Sequence, residues 1–273
     1  MDYHVTDICQ VHGYSRQAYY KRRNADYRQV LMEAIIIKQV LEIRRRQTKI
    51  GGRQLYHRIK PVLEEMQFKF GRDRFFDLLR RERLLIRRRK KYVKTTNSRH
   101  RFRKYGNLIK QLLIDKANQV YVADITYIRT LYGFCYLSLI TDACSRKIVG
   151  YHLSLSLGIE GCLCALKKAL RNLPEGAKLI HHSDRGIQYC SDEYTGLLQK
   201  HHVKISMTEQ DHVYENALAE RVNGILKDEF MLGETLASYE LARQMVAEAV
   251  DIYNNERPHQ SLKYATPSMR HAA

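Results

Sequence analysis

Three runs between residues 119 and 156 constrain the fold more than any other part of the chain. QVYVADITYIRT (119–130), FCYLSLIT (134–141) and KIVGYHLSLS (147–156) are rich in β-branched and aromatic residues. A turn at Tyr132-Gly133 separates the first two, and Ala143-Cys144-Ser145-Arg146 turns into the third, the spacing of an antiparallel three-stranded meander. Helix and strand patterns then alternate. Residues 158–173 have helical periodicity with Leu163, Leu166 and Leu170 inward, and 178–182 read as a short strand. Residues 192–201 predict a helix, 203–206 a strand, 216–230 a helix and 237–254 a last long helix. Strands covered by helices in this way form a layered α/β domain.

Upstream the pattern is helical. In TDICQVHGYSRQAYYKRR an apolar-periodic segment stops at His12-Gly13, and Ser15 is placed to cap the next helix. That spacing suits a helix-turn-helix whose second helix presents Arg16, Gln17, Tyr20 and Lys21 to DNA. Residues 27–47 predict a further helix, with Val30, Ala34, Ile37 and Leu41 expected to pack inward rather than to zip two chains together. Beyond Gly51-Gly52, helices over 53–66 and 72–85 with a turn at Gly71 look like a second helix-turn-helix. The run 86–104 is basic, poor in apolar residues and broken by Thr-Thr-Asn-Ser, as expected of a linker that lies along phosphates. Five segments are expected: a helix-turn-helix with a long helix (1–48), a second such module (49–92), a basic linker (93–115), a layered α/β core (116–232) and a C-terminal helix and tail (233–273).

Charge separates the two halves. Residues 1–110 hold 30 Lys and Arg against 10 Asp and Glu, whereas 111–273 hold 17 against 19, so a net of +20 and one of −2 make up the +18 of the whole. A basic half beside a neutral one suggests a polyanion-binding region, with nucleic acid the expected partner, fused to something with another task. No apolar run approaches the roughly 18 residues of a membrane span, and MDYHVTDICQ lacks the layout of a secretion signal. A cytoplasmic address is expected. The six cysteines (Cys9, Cys135, Cys144, Cys162, Cys164 and Cys190) contain no C-x-x-C pair, so reduced and mostly buried thiols are expected rather than zinc ligands or disulfides.

The neutral half contains the candidate chemistry. Alternation along Val120, Val122, Asp124, Thr126 and Ile128 puts Asp124 on an apolar strand face, costly for a carboxylate unless a cation or hydrogen bonds satisfy it. Asp184 sits where a strand ends in the stretch HHSDRG. Asp142 also ends a strand, but reads as a turn cap or a partner of Arg146. A third acid is expected from the helix over 216–230, with Glu215, Glu220 and Glu229 in reach. Leu218, Val222 and Ile225 define its buried side, with Asn216, Glu220, Asn223 and Lys227 opposite, so Glu220 has the polar setting. Glu229 is expected to pair with a basic residue. Three carboxylates without thiols suit Mg²⁺ or Mn²⁺. Within HHSDRG, His181 and His182 point to opposite faces, one expected against the core and the other near DNA. Ser183 reads as a turn residue, and Arg185 as a phosphate contact.

These stretches resemble a known family. VADITYI around Asp124, HSDRGIQY around Asp184 and YENALAERVNGILKDEF around Glu220 are similar to the three catalytic blocks of DDE transposases and retroviral-type integrases, and 35 residues lie between Asp184 and Glu220, as in the integrase-like subgroup. The closing YNNERPHQSLKYATP (253–267) resembles the tail of bacterial insertion-sequence transposases of the insertion-sequence-three type, second-frame product. The likeness is strong over 119–268 and looser upstream. It implies an RNase-H-like core with a mixed five-stranded sheet and helices, preceded by an all-helical DNA-binding region. It also implies Asp124, Asp184 and Glu220 as ligands of two Mg²⁺ ions (Mn²⁺ substituting), with cleavage at element ends and strand transfer into target DNA. Lys227 would contact the DNA backbone near the scissile phosphate, and Asn216 and Arg221 belong to the same motif. Terminal inverted repeats, target duplex, further copies of the chain and an upstream-frame protein are the implied partners. Two departures stand out: Val122 where the family usually has an aromatic, and Asp211-His212-Val213-Tyr214 where Gly and Pro are usual. A DNA-binding relative without catalysis, or a sequence-independent nuclease, are the competing readings.

Overall fold

In the computed structural model residues 4–86, 101–209 and 216–273 are described. Most of the basic run 86–104, Glu215 and the loop 211–214 lie outside those residues. The chain divides into two compact units, Met1–Arg46 with Leu55–Leu85, and Gln47–Gln54 with Ile86–Ala273.

The first unit is helical. Helix α1 (Val5–Val11) ends before Gly13, whose φ of 69° makes the turn into α2 (Arg16–Arg46). Ser15 Oγ accepts the Ala18 N–H at 3.1 Å, the cap expected there. Two expectations for α2 need correction. The segment is one continuous helix of 31 residues, because nothing in Asn24-Ala25-Asp26 breaks it. Its buried positions are Glu33, Ile36 and Val40, whereas Val30 and Leu41 are 66% and 49% exposed. The stripe that turns inward is the one holding Ile36 and Val40, both fully buried, and Glu33 on that stripe accepts from Gln29 and pairs with Arg81. Helices α3 (Gly52–Glu65) and α4 (Arg72–Arg81) bury Leu55, Ile59 and Leu63, and Phe75, Leu78 and Leu79.

The second unit is built on a five-stranded sheet of order β3-β2-β1-β4-β5. Strands β1 (Val120–Thr130), β2 (Gly133–Asp142) and β3 (Ile148–Ser154) form the antiparallel meander. After α5 (Ile159–Arg171), β4 (Ile180–Ser183) joins β1 in parallel, with Val120 opposite Ile180 and Val122 opposite His182. Helices α6 (Ile187–Cys190) and α7 (Asp192–Lys200) then lead to β5 (Lys204–Met207), parallel to β4. Last come α8 (Ala217–Glu229), α9 (Tyr239–Asn255) and a short α10 (Pro267–Ala272).

Strand alternation divides the core between the two faces of the sheet. Tyr121, Ala123 and Ile140 pack with α5, α6 and α7, and Ile128, Leu137 and Leu139 pack with α8 and α9. Gly150 lets α5 rest directly on β3, since a Cβ there would meet the Ala165 carbonyl oxygen at 2.2 Å. The C-terminal tail is tied in by polar contacts. Asn254 exchanges two hydrogen bonds with the Ile148 backbone, and Arg257 grips Glu229 through Nε and Nη2 at 2.8 and 2.6 Å. Glu229 also accepts from Gln47 at 3.2 Å, so it has basic and amide partners at the end of α8. Asp142 is buried and caps its turn, accepting from Ser145 N–H and Oγ and from Asn118 N–H, with no role for the Arg146 side chain in that cap. All six thiols are free, and four are buried. No helix of the described residues is long and apolar enough to cross a membrane.

Candidate active site

Parallel pairing brings the first two acids together. Asp124 follows Val120 and Val122 on the face of β1 that meets Ala219 of α8. Val122 is itself buried in that cluster, so an aliphatic side chain fills the place where an aromatic is usual. Two steps beyond the Val122–His182 pair, β1 has reached Asp124 and the chain leaving β4 has reached Asp184. The two carboxylates thus leave the sheet from neighbouring strands, close enough for the Asp184 charge to act on Asp124. Asp184 Oδ1 accepts the Gly186 N–H at 2.9 Å, which fixes the loop leaving the sheet. Glu220 is exposed in the first turn of α8, where the helix dipole favours an acid.

The three acids share one field. Burial, then the Asp184 charge and more weakly that of Glu220, push the Asp124 carboxyl up to about 7, against the Ile125 N–H and the Asn223 amide, which favour its ionised form. Among the described residues no three His, Cys, Asp or Glu side chains are gathered closely enough to hold a metal ion. The acids are thus coupled without closing on a common point. Their chemistry nonetheless fits a hard divalent cation: the donors are all carboxylate oxygens, and a bound cation would relieve the repulsion felt at Asp124.

The other predicted residues fall in three groups. Around α8, Asn216 is buried and its Nδ2 donates to the Ala123 carbonyl at 3.1 Å, so the side chain expected at DNA is packed against β1. Asn223, on the same stripe and given no role by the sequence, donates from Nδ2 to Asp124 Oδ2 at 2.6 Å. That polar stripe is therefore not wholly solvated: its two amides are buried where β1 offers acceptors. Lys227 is half-buried with Nζ 4.1 Å from the Tyr127 ring centroid, and Arg221 is exposed. Around β4, both histidines are buried, which corrects the expectation of one near DNA. His181 Nε2 lies 2.9 Å from the Tyr194 hydroxyl, and His182 Nδ1 lies 2.9 Å from Ser206 Oγ. The reason is that β4 lies between β1 and β5 and is covered on both faces. Burial, reinforced by His182, lowers His181 to about 3 and keeps it neutral. Ser183 is buried, and Arg185 is half-buried in the loop after Asp184. In the helical unit, Arg16, Gln17 and Lys21 are exposed on the first turns of α2, and Tyr20 is half-buried with the Arg23 guanidinium 5.0 Å over its ring.

Known proteins are similar to this chain in sequence and fold. Residues 115–212 match one Integrase core domain family and residues 201–267 a second of the same description. The uncharacterized 31 kDa protein of insertion element IS600 from Shigella sonnei is 35% identical over 266 residues, covering 96% of either chain. The transposase InsF of insertion sequence IS3A from Escherichia coli strain K12 is 31% identical over 204 residues, 74% of this chain and 71% of that protein. Among solved structures, a chain of the simian T-cell lymphotropic virus intasome in complex with the PP2A regulatory subunit B56 gamma superposes with a TM-score of 0.50 at 16% identity, covering 83% of this chain and 72% of that one. The last likeness is one of fold alone. Sheet order and core match together define an RNase-H-like integrase core carrying an enzyme of the DDE class. The chain belongs to the IS3-type transposases of the integrase superfamily.

Proposed function

We propose that this transposase cleaves DNA at the ends of its insertion sequence and joins the freed strands to target DNA, with Asp124, Asp184 and Glu220 holding two Mg²⁺ ions that Mn²⁺ can replace. The observation that carries the reading is a buried carboxylate, Asp124, lying in the field of two others: burial first, then the Asp184 charge and more weakly that of Glu220, push it up to about 7. Bound divalent ions in such a setting supply an activated nucleophile and a stabilised leaving oxygen at a phosphodiester. The chain's own side chains supply the rest. Asp124 presents its oxygens from β1, Asp184 from the loop that leaves β4, and Glu220 comes from the first turn of α8. Lys227 steadies the DNA backbone near the scissile phosphate, with Arg185 and Arg221 as further phosphate contacts. Arg16, Gln17, Tyr20 and Lys21 read the element ends, and the basic linker follows the backbone.

Joining two ends to one target calls for at least two copies of the chain on DNA, and an upstream-frame protein is a candidate further partner. The five segments expected from sequence are the working division of labour, within a cytoplasmic, nucleoid-associated protein. A short duplex ending in the element's terminal repeat, incubated with the protein, Mg²⁺ and a second duplex, should yield strands joined to that duplex. Hydrolysis without joining would favour a nuclease, and binding without cleavage would favour a catalytically silent relative.

A further inference from the structure

We propose that Asn223 is a positioning residue that holds Asp124 in its working orientation from the helix that carries Glu220. The inference rests on Asp124 being a ligand of the site proposed above. Asn223 lies three residues after Glu220, hence beside it on α8. Its Nδ2 donates to Asp124 Oδ2 at 2.6 Å, and the Ile125 N–H also supports that carboxylate. Seven residues earlier on the same face, Asn216 Nδ2 donates to the Ala123 carbonyl at 3.1 Å. Two amides two turns apart thus hold consecutive residues of β1, the first by its backbone and the second by its side chain. The distance between the acid on β1 and the acid on α8 is set by this pair of contacts.

Asn223 is an unfavourable choice for packing alone. It is 6% exposed among Val222, Ile225 and Leu226, which are buried on the same helix. Its Oδ1 is buried and has no hydrogen-bond partner among the described residues, an arrangement that lowers stability. An apolar residue of the same shape would leave no such atom. What the amide adds is a donor that fixes one oxygen of a buried carboxylate. Groups that orient a ligand in this way change metal affinity or activity by about 10–100-fold when removed.

The test is Mn²⁺ binding to the full chain by calorimetry, with thermal unfolding measured alongside. Asn223→Leu, which has the shape without the donor, should weaken Mn²⁺ binding by about 10–100-fold in a protein that remains folded. In an Asp124→Ala background the same substitution should change the affinity no further. Should Asn223→Leu not fold, the smaller Asn223→Ala carries the same comparison. Unchanged Mn²⁺ affinity in a folded variant, or an equal loss with Asp124 already removed, overturns the assignment. If Asp124→Ala alone leaves Mn²⁺ binding intact, it is the reading of the site that fails, and the assignment fails with it.

Discussion

At Asp124 burial and two neighbouring carboxylates push the side chain up to about 7, far above the ordinary value near 4. A carboxyl raised by folding favours the folded state fully at pH below its unfolded value, and that contribution is lost as pH climbs toward and past about 7. Without divalent cations, Asp124→Asn should therefore stabilise the protein at pH 8 by about 1–3 kcal/mol, and the gain should vanish near pH 4. Urea unfolding at the two pH values checks this, and a variant no more stable at pH 8 would contradict it. Asp124 was legible in the sequence because it interrupts an apolar strand face, and Asp184 because it ends a strand in a short polar loop. The amides were not. A helical wheel puts Asn216 and Asn223 beside Glu220, on a face that sequence alone reads as solvated. Only the contact with β1 reveals that the amides are buried and what they bind. The histidines of β4 escaped for a related reason: alternation separates two faces but does not say that both are covered.

Among the elements, the order from β1 to α9 follows from periodicity, since each segment shows one clear period between turn residues. The four-residue α6 was missed because it is too short to show a period. The rotation of α2 was misjudged because two apolar stripes compete along it. Val30, Ala34, Ile37 and Leu41 make the more regular one, but Ile36 and Val40 on the other are the residues that the fold buries, together with Glu33. A far more buried ion pair closes the C-terminal tail, where Arg257 is almost fully buried and binds Glu229 through two nitrogens. Breaking a buried pair from one side leaves an uncompensated charge. Arg257→Ala should lower the stability of the second unit by about 3–5 kcal/mol, read as a lowered urea midpoint. A loss under about 1 kcal/mol, typical of a solvated pair, would show that Glu229 finds water when Arg257 is gone. The role of the ERPHQ stretch at 256–260 on this view is to fasten α9 to the end of the helix carrying Glu220.

For the molecule as a whole, the excess of positive charge over residues 1–110 makes DNA binding an electrostatic matter. If six or more phosphates are neutralised, affinity for duplex DNA should fall about a thousandfold between 50 and 200 mM salt, as measured by fluorescence anisotropy. A flat response would remove the basic half from the interface. Composition disclosed that half and periodicity disclosed the layered domain, yet neither chose a topology. The strand order rests on the parallel pairing of β1 with β4, which joins residues 60 positions apart and leaves no local trace in the sequence. It became legible through the three acid blocks and their likeness to integrases. The claim on which the rest depends is that Asp124, Asp184 and Glu220 act as one site. Cleavage of element-end DNA in Mg²⁺ should drop by at least roughly a thousandfold in each of Asp124→Ala, Asp184→Ala and Glu220→Ala, with DNA affinity within about twofold of the parent. Cleavage that survives any one of the three substitutions at near-parental rate would contradict it.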